Sequence, residues 1–460
     1  MKQRTWGILY IFGLILIFIG ITSCDSPTTV EEPVLERSEQ VAGVSPTHFL
    51  FRPTCEEGTL NSGADFKICV PRIWNRELVV YAPGYRDPNL GDLEIRDDEI
   101  GGFSVQEIVN NLGFAFATTS YHKNGLPLTE DEFDALDDLI QLVELTDEIT
   151  RRPLRKSYLT GPSLGGLVSV LGIETLAKTF DAALAACGPY GDFRWQLDYF
   201  GDFRVVFDAL FAEQIVVNEN ENKNEWPIWT EPGYVDEFLI DQWDNVIEPA
   251  IRDAIADDLD NDGALTNQLL EITGAPVDSA DDGTIVETVV DILWYHVHGT
   301  NDAIEVLGGQ PYDNNERDFN DVIVERFEAA PAAVAAIDAH YQTSGLLQRP
   351  LVTLHTDLDP VNPVEHQQLY RAKARPGILH TPITVSRYGH CNFTLEEVLA
   401  AFSLMILKST AQDLLVSISV LPEPEQQQVF LNKARDIGAS PQIVPPEELK
   451  RSIEQRKNIE

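Results

Sequence analysis

The chain has 460 residues, 43% of them hydrophobic, which is enough for a sizeable core. Its 33 Lys and Arg face 74 Asp and Glu, a formal net charge of −41. A surface field of that sign repels phosphates, which excludes nucleic acid as a partner and disfavours strongly anionic substrates; the excess charge otherwise acts as a solubility device.

The first residues read as an export signal. Lys2 and Arg4 precede the uncharged apolar run "WGILYIFGLILIFIGI", Trp6 to Ile21. The following "ITSC" resembles the lipobox of bacterial lipoproteins: an aliphatic residue, two small ones, then a cysteine that is lipidated. Residues 1–23 are then a lipoprotein signal peptide, and Cys24 is the lipidation site. An uncleaved membrane anchor is the alternative, since the run is nearly long enough to span a bilayer. The resemblance implies a bacterial cell-envelope protein, at the periplasmic face or the cell surface, that meets the membrane through its N-terminal lipid only. Residues 24–45 are polar and aperiodic, as a flexible tether would be. An exported chain permits disulfides, and Cys55, Cys69, Cys187 and Cys391 remain. Cys55 and Cys69 close a short loop and are expected to pair. That leaves Cys187 with Cys391, in a long-range bridge whose plausibility depends on the fold.

The body alternates buried strand runs with helices. "ELVVYAPG" (Glu77 to Gly84) and "FAFATTSY" (Phe114 to Tyr121) are strand-like. "EDEFDALDDLIQLVELTDEI" places Phe133, Leu136, Leu139, Ile140, Leu142, Val143 and Leu145 on one helical face, with acidic residues outside. "KSYLTG" and "DAALAACG" are two further strands, and "PLVTLHT" and "TPITVSRYG" the last two. Strand–helix–strand repeats imply a largely parallel sheet. Between them, from Tyr190 to about Gly345, the chain is aromatic-rich, acidic and helical in pattern.

The stretch "KSYLTGPSLGGLVSV" holds Gly161-Pro162-Ser163-Leu164-Gly165 between a strand and a helix. A G-x-S-x-G pentapeptide arises by chance in about one chain in six of this length, so its context is what counts. In a turn this sharp a side chain at either glycine would strike the neighbouring strand or helix. The serine is then exposed at the top of the sheet, and the Leu164 N–H faces the place where negative charge would develop on a substrate carbonyl. A serine hydroxyl needs a base, and the order serine, acid, histidine recurs downstream: "DLDPVNP" follows one late strand and "HCNFT" the next. His390 is the candidate base, and Asp359 the candidate acid in preference to Asp357.

These pieces, "APGY", "GPSLGG", "LHTDLDPVNP" and "GHCNFT", resemble the α/β-hydrolase superfamily of serine esterases, lipases and peptidases. The resemblance implies a mostly parallel sheet flanked by helices with a large helical lid or cap insertion. Residues 46–190 are then the first part of the core, 191–345 the insertion, 346–420 the second part of the core, and 421–460 a peripheral tail. It assigns the nucleophile to Ser163, the base to His390 and the acid to Asp359. Here Ala82-Pro83-Gly84-Tyr85 departs from the family's His-Gly oxyanion loop, so the second oxyanion donor falls on the Tyr85 N–H, beside that of Leu164. In this fold Cys187 and Cys391 both belong at the C-terminal edge of the sheet, where a bridge would pin the histidine loop; two buried free thiols are the alternative.

The expected activity is hydrolysis of a small-molecule acyl ester with no cofactor. A serine peptidase on the same fold and a non-catalytic surface binding lipoprotein are the alternatives. Asp258, Asp260 and Asp262, followed by Gly263, resemble the first half of a calcium loop, but the twelfth position holds Leu269 rather than glutamate. A solvated acidic turn competes with calcium there. His296 and His298 lack a third ligand at a fitting spacing, so packing or hydrogen bonding within the insertion is expected of them.

Overall fold

The computed structural model describes residues 53–130, 133–215, 217, 226–279, 281–374 and 379–419. The expected signal peptide, Cys24, the tether and the tail lie outside the described residues.

The chain begins with β1 (Thr54–Thr59) and β2 (Asp65–Val70), an antiparallel pair in which Cys55 faces Cys69 and is disulfide-bonded to it. The sequence does not announce β1, because all six of its residues are exposed and it lacks an apolar face. Next come β3 (Glu77–Tyr81), a small hairpin of β4 (Glu99–Ile100) and β5 (Phe103–Ser104), α1 (Val105–Asn111), β6 (Ala115–Thr119) and α2 (Ala135–Thr150). Then β7 (Lys156–Pro162), α3 (Leu164–Thr175) and β8 (Ala182–Ala186) complete the first half. The sheet resumes with β9 (Leu351–Leu358) and β10 (His380–Tyr388).

The order β1-β2-β6-β3-β7-β8-β9-β10 makes one eight-stranded sheet. β2 pairs antiparallel to β1 and β6, and every pairing from β6 to β10 is parallel. With helices on both faces, this is the α/β-hydrolase fold. Alternation along β3 divides the core: Leu78 and Val80 face a cluster with α2 and α3, while Val79 and Tyr81 face α1 and the last helix.

Between β8 and β9 the described elements are helical: α4 (Phe193–Phe211), α5 (Glu237–Asp241), a π-helical turn (Trp243–Ile247), α6 (Glu248–Asp260), α7 (Ala264–Thr273), α8 (Asp282–Leu307) and α9 (Pro331–His340). They enclose a second hydrophobic core rich in Phe and Trp. α4 and α8 each join the two cores, since Phe193, Ala303 and Leu307 pack with the sheet while Phe207 and Leu293 pack within the insertion. The fold ends with α10 (Glu365–Lys373) and α11 (Leu395–Ser419). Among the described residues no helix is long and apolar enough to cross a membrane.

α2 shows where periodicity misleads. Asp134 caps it by accepting from the N–H groups of Leu136 and Asp137, and its buried face carries Ala135, Leu139 and Leu142 together with Asp138. Asp138, expected on the acidic outer face, is instead 1% exposed and accepts hydrogen bonds from the Ser62 and Thr119 hydroxyls. Burial raises its carboxyl from 3.8 to about 6 despite those two donors. Because the folded protein holds this proton more tightly than the unfolded chain, the ionised carboxylate costs stability. That cost is absent below pH 4 and grows to about 3 kcal/mol above pH 6. Asp138→Asn is therefore expected to gain stability over the parent progressively between pH 4 and pH 7, read by denaturant unfolding. A variant-to-parent difference that is flat with pH would contradict this.

Candidate active site

The turn from β7 into α3 is built by what surrounds it. A Cβ on Gly165 would lie 2.0 Å from the Ala82 carbonyl oxygen, and one on Gly161 would lie 2.5 Å from that same oxygen. Only glycine fits either position. Ser163 itself has φ 53° and ψ −127°, a strained conformation for a residue with a side chain. Its N–H donates to Ala186 O at 2.9 Å, which ties the turn to β8. The strain and the anchor together hold the hydroxyl out from the end of the sheet.

Two loops at the same edge reach it. His390, just beyond β10, places Nε2 3.0 Å from Ser163 Oγ. Its Nδ1 lies 3.0 and 2.9 Å from the two carboxylate oxygens of Asp359. Asp359 is fully buried and also accepts from the N–H groups of Val361 (3.0 Å) and Asn362 (2.9 Å), so its charge is compensated on three sides. Asp357 turns away, accepting from the Ser386 hydroxyl and the Arg387 N–H. Beneath the carboxylate, His355 Nε2 donates to Asn362 O at 2.7 Å and its Nδ1 accepts from Tyr190 OH at 3.1 Å. Burial holds this ring below the ordinary histidine range, in keeping with a neutral imidazole that props the Asp359 loop.

Cys187 and Cys391 form a disulfide at this edge. It joins the end of β8 to the residue after His390, and Asn362 Nδ2 donates to Cys187 O at 2.8 Å. The bridge and the hydrogen bond thus hold the histidine and aspartate loops to one point. Two disulfides in one chain suit an oxidising compartment.

The loop after β3 lies against the serine: a Cβ on Gly84 would stand 3.4 Å from Ser163 Cβ. Among the described residues, neither the Tyr85 nor the Leu164 N–H donates to another backbone group. The Tyr85 ring is wedged against Trp294 and Tyr295 of α8, and the Tyr295 ring stands edge-on to His390, 6.3 Å between centroids. α8 is fastened over the site from two sides. Asp302 binds Lys123 Nζ at 2.6 Å and the Leu126 N–H at 2.8 Å, while His298 Nδ1 lies 2.7 Å from Asp87 Oδ2.

Under this cover Ser163 and Leu164 line a cavity of about 90 Å³. Its walls come largely from the insertion, with Phe193, Phe200, Trp229, Tyr295 and Tyr312 supplying aromatic surface. Among the described residues that line it there is no Asp, Glu, Lys or Arg. Of these wall residues only Tyr312 falls in a stretch that the sequence marks out: "LGGQPYDNN", Leu307 to Asn315, is rich in turn residues and reads either as a plain loop or as one whose aromatic and amide groups reach a substrate, and Gln310, Pro311 and Tyr312 line the cavity. For the others the signal was the aromatic enrichment of the insertion as a whole.

The acidic turn lies elsewhere, between α6 and α7. Asp258 accepts from the Thr266 N–H at 2.8 Å and Asp262 from the Ala264 N–H at 3.2 Å, so both serve the start of α7. Among the described residues no group of three or more His, Cys, Asp or Glu side chains is arranged to hold a metal ion. His296 and His298 are both buried within the insertion.

No family model matches the sequence, and no curated protein does. Solved structures with similar folds include an esterase from Pyrococcus furiosus, 10% identical with a TM-score of 0.40, covering 82% of this chain and 98% of its own. Feruloyl esterase B from Aspergillus oryzae is 14% identical, with a TM-score of 0.40 and 75% of each chain covered. The acylaminoacyl peptidase of Pyrococcus horikoshii is 11% identical, with a TM-score of 0.37, covering 77% of this chain but only 40% of the peptidase. It is the strand order and the elbow, not these distant similarities, that define the fold.

Proposed function

We propose that the protein is an exported serine hydrolase, anchored by a lipid on Cys24, that cleaves neutral carboxylic esters through Ser163, His390 and Asp359. The observation that carries this is the continuous hydrogen-bonded line from Ser163 Oγ through both nitrogens of His390 to the buried Asp359, with Ser163 lining a cavity that has no Asp, Glu, Lys or Arg among its described residues.

His390 Nε2 accepts the Ser163 proton as Oγ attacks the ester carbon. Asp359 holds Nδ1–H and stabilises the imidazolium that forms. The N–H groups of Leu164 and Tyr85 receive the oxyanion. Collapse expels the alcohol, which takes the proton back from His390, and leaves an acyl group on Ser163. Water, deprotonated by His390, attacks that acyl carbon and releases the acid. The same steps would cleave an amide. An aminopeptidase, however, must hold a substrate ammonium, and no carboxylate lines the cavity among the described residues, which favours an uncharged ester.

Turnover of p-nitrophenyl acyl esters is accordingly expected to exceed that of aminoacyl p-nitroanilides by about 10²-fold or more in kcat/KM. Preference for the anilides would make the protein a peptidase.

A further inference from the structure

One polar group on the cavity wall is left without a role by this chemistry. His296, on α8, is 3% exposed and lines the cavity that Ser163 also lines. Its ring meets that of Trp229 edge-on, 4.4 Å between centroids and 82° between planes. Neither Nδ1 nor Nε2 has a hydrogen-bond partner among the described residues. Of the other polar side chains there, the Tyr295 hydroxyl is unbonded among the described residues but belongs to a residue that is not fully buried, and the following are spent within the protein. Gln196 bonds Val361 O and His366, Gln310 bonds both backbone groups of Tyr312, and the Tyr312 hydroxyl binds Asp202. Asn362 donates to Cys187.

Burial, with the nearby Arg204 charge, pushes His296 well below the ordinary histidine range, so the ring is a neutral imidazole with one donor and one acceptor. An N–H set over the indole face would satisfy at most one nitrogen, and only weakly. Buried polar groups with no partner are rare and costly, and this one belongs to a residue on the cavity wall, where a ligand atom could supply the missing bond. Its neighbour is also held in place for a purpose: Asp208 accepts from the Trp229 N–H and Trp226 Nε1 and pairs with the buried Arg204, which fixes the indole against which the imidazole rests.

Building on the hydrolase reading above, we infer that His296 is the specificity-determining residue of this site, recognising a ring hydroxyl on a neutral aryl ester. A hydroxyl both donates and accepts, as the imidazole requires. The aromatic walls fit an aryl group, and a cavity without ionised side chains, in a protein of charge −41, favours a neutral one.

The test uses two matched series with the wild-type protein, His296→Phe and His296→Asn. One series places the aryl group on the acyl side, as methyl 3-phenylpropanoate and its meta- and para-hydroxy forms. The other places it on the alcohol side, as 2-phenylethyl acetate and its hydroxy forms. In one series, which thereby identifies the arm that enters the cavity, wild type is expected to prefer a hydroxylated member by about 10- to 100-fold in kcat/KM. His296→Phe keeps a ring against Trp229 but no nitrogen, and its ratio is expected to fall to near 1. His296→Asn, which restores a donor and an acceptor, should recover part of the preference, and it carries the comparison should His296→Phe misfold. Fluorophosphonate labelling of Ser163, run alongside, separates the two ideas. Wild type that labels but shows no hydroxyl preference in either series, or a preference that survives in His296→Phe, overturns the role of His296 and leaves the hydrolase intact. Wild type that is folded and does not label overturns the hydrolase reading and this inference with it.

Discussion

Replacing Asp359 with asparagine is expected to lower kcat on a neutral ester by about 10⁴-fold while the protein remains folded. The carboxylate accepts from His390 Nδ1 and from the N–H groups of Val361 and Asn362. An asparagine oxygen can keep the two backbone donors, but its NH₂ then faces Nδ1. The imidazole responds by moving its proton to Nε2, where it can no longer accept from Ser163 Oγ. His355 offers no rescue. Although its Nε2 is 3.8 Å from Asp359, both of its nitrogens are engaged by Asn362 and Tyr190. Asp359 does not line the cavity, so KM should change far less than kcat. Steady-state kinetics with a melting curve for each protein checks both points. A folded variant that loses less than 10-fold in kcat would mean that His390 does not depend on this carboxylate for its tautomer.

Much of this arrangement was legible in the sequence because the chemistry is local there. The elbow needs glycine on both sides of Ser163 because a side chain there would strike its neighbours, and the Ala82 carbonyl stands in the way at both Gly161 and Gly165. Of the strands that carry the site, β3 and β6 to β9 are buried apolar runs that stand out in any window, while β10, which has no fully buried residue, is marked by its β-branched Thr381, Ile383, Thr384 and Val385. The antiparallel β1 and β2 were missed because one is wholly exposed and the other, "DFKICV", is polar and only partly buried over its first half, so pairing and the Cys55–Cys69 bond define them rather than an apolar pattern. Asp138 was misplaced because helical periodicity sees only hydrophobicity. The donors that make its burial tolerable, Ser62 and Thr119, lie 76 and 19 residues away. Beyond the loop from Leu307 to Asn315, the cavity was illegible for a related reason. Trp229, His296 and Tyr312 become neighbours only when the insertion folds on itself, and nothing in their spacing distinguishes a wall residue from a core one.

Ser163→Ala is expected to have the largest effect of any substitution, a loss of about 10⁶-fold in kcat, with the remainder supplied by the oxyanion donors and the binding of substrate. The change should not unfold the protein. Position 163 already holds a side chain at φ 53°, so alanine adds no strain that serine does not carry, and among the described residues the hydroxyl bonds only His390. The measurement that bears most directly on the account is therefore labelling of the purified protein, from about Val44 onward, with a fluorophosphonate, followed by mapping of the adduct by mass spectrometry. One adduct per chain on Ser163, absent from both Ser163→Ala and His390→Ala, is the predicted result. A folded wild-type protein that takes up no label, or that carries it on another residue, would contradict an activated serine at this elbow.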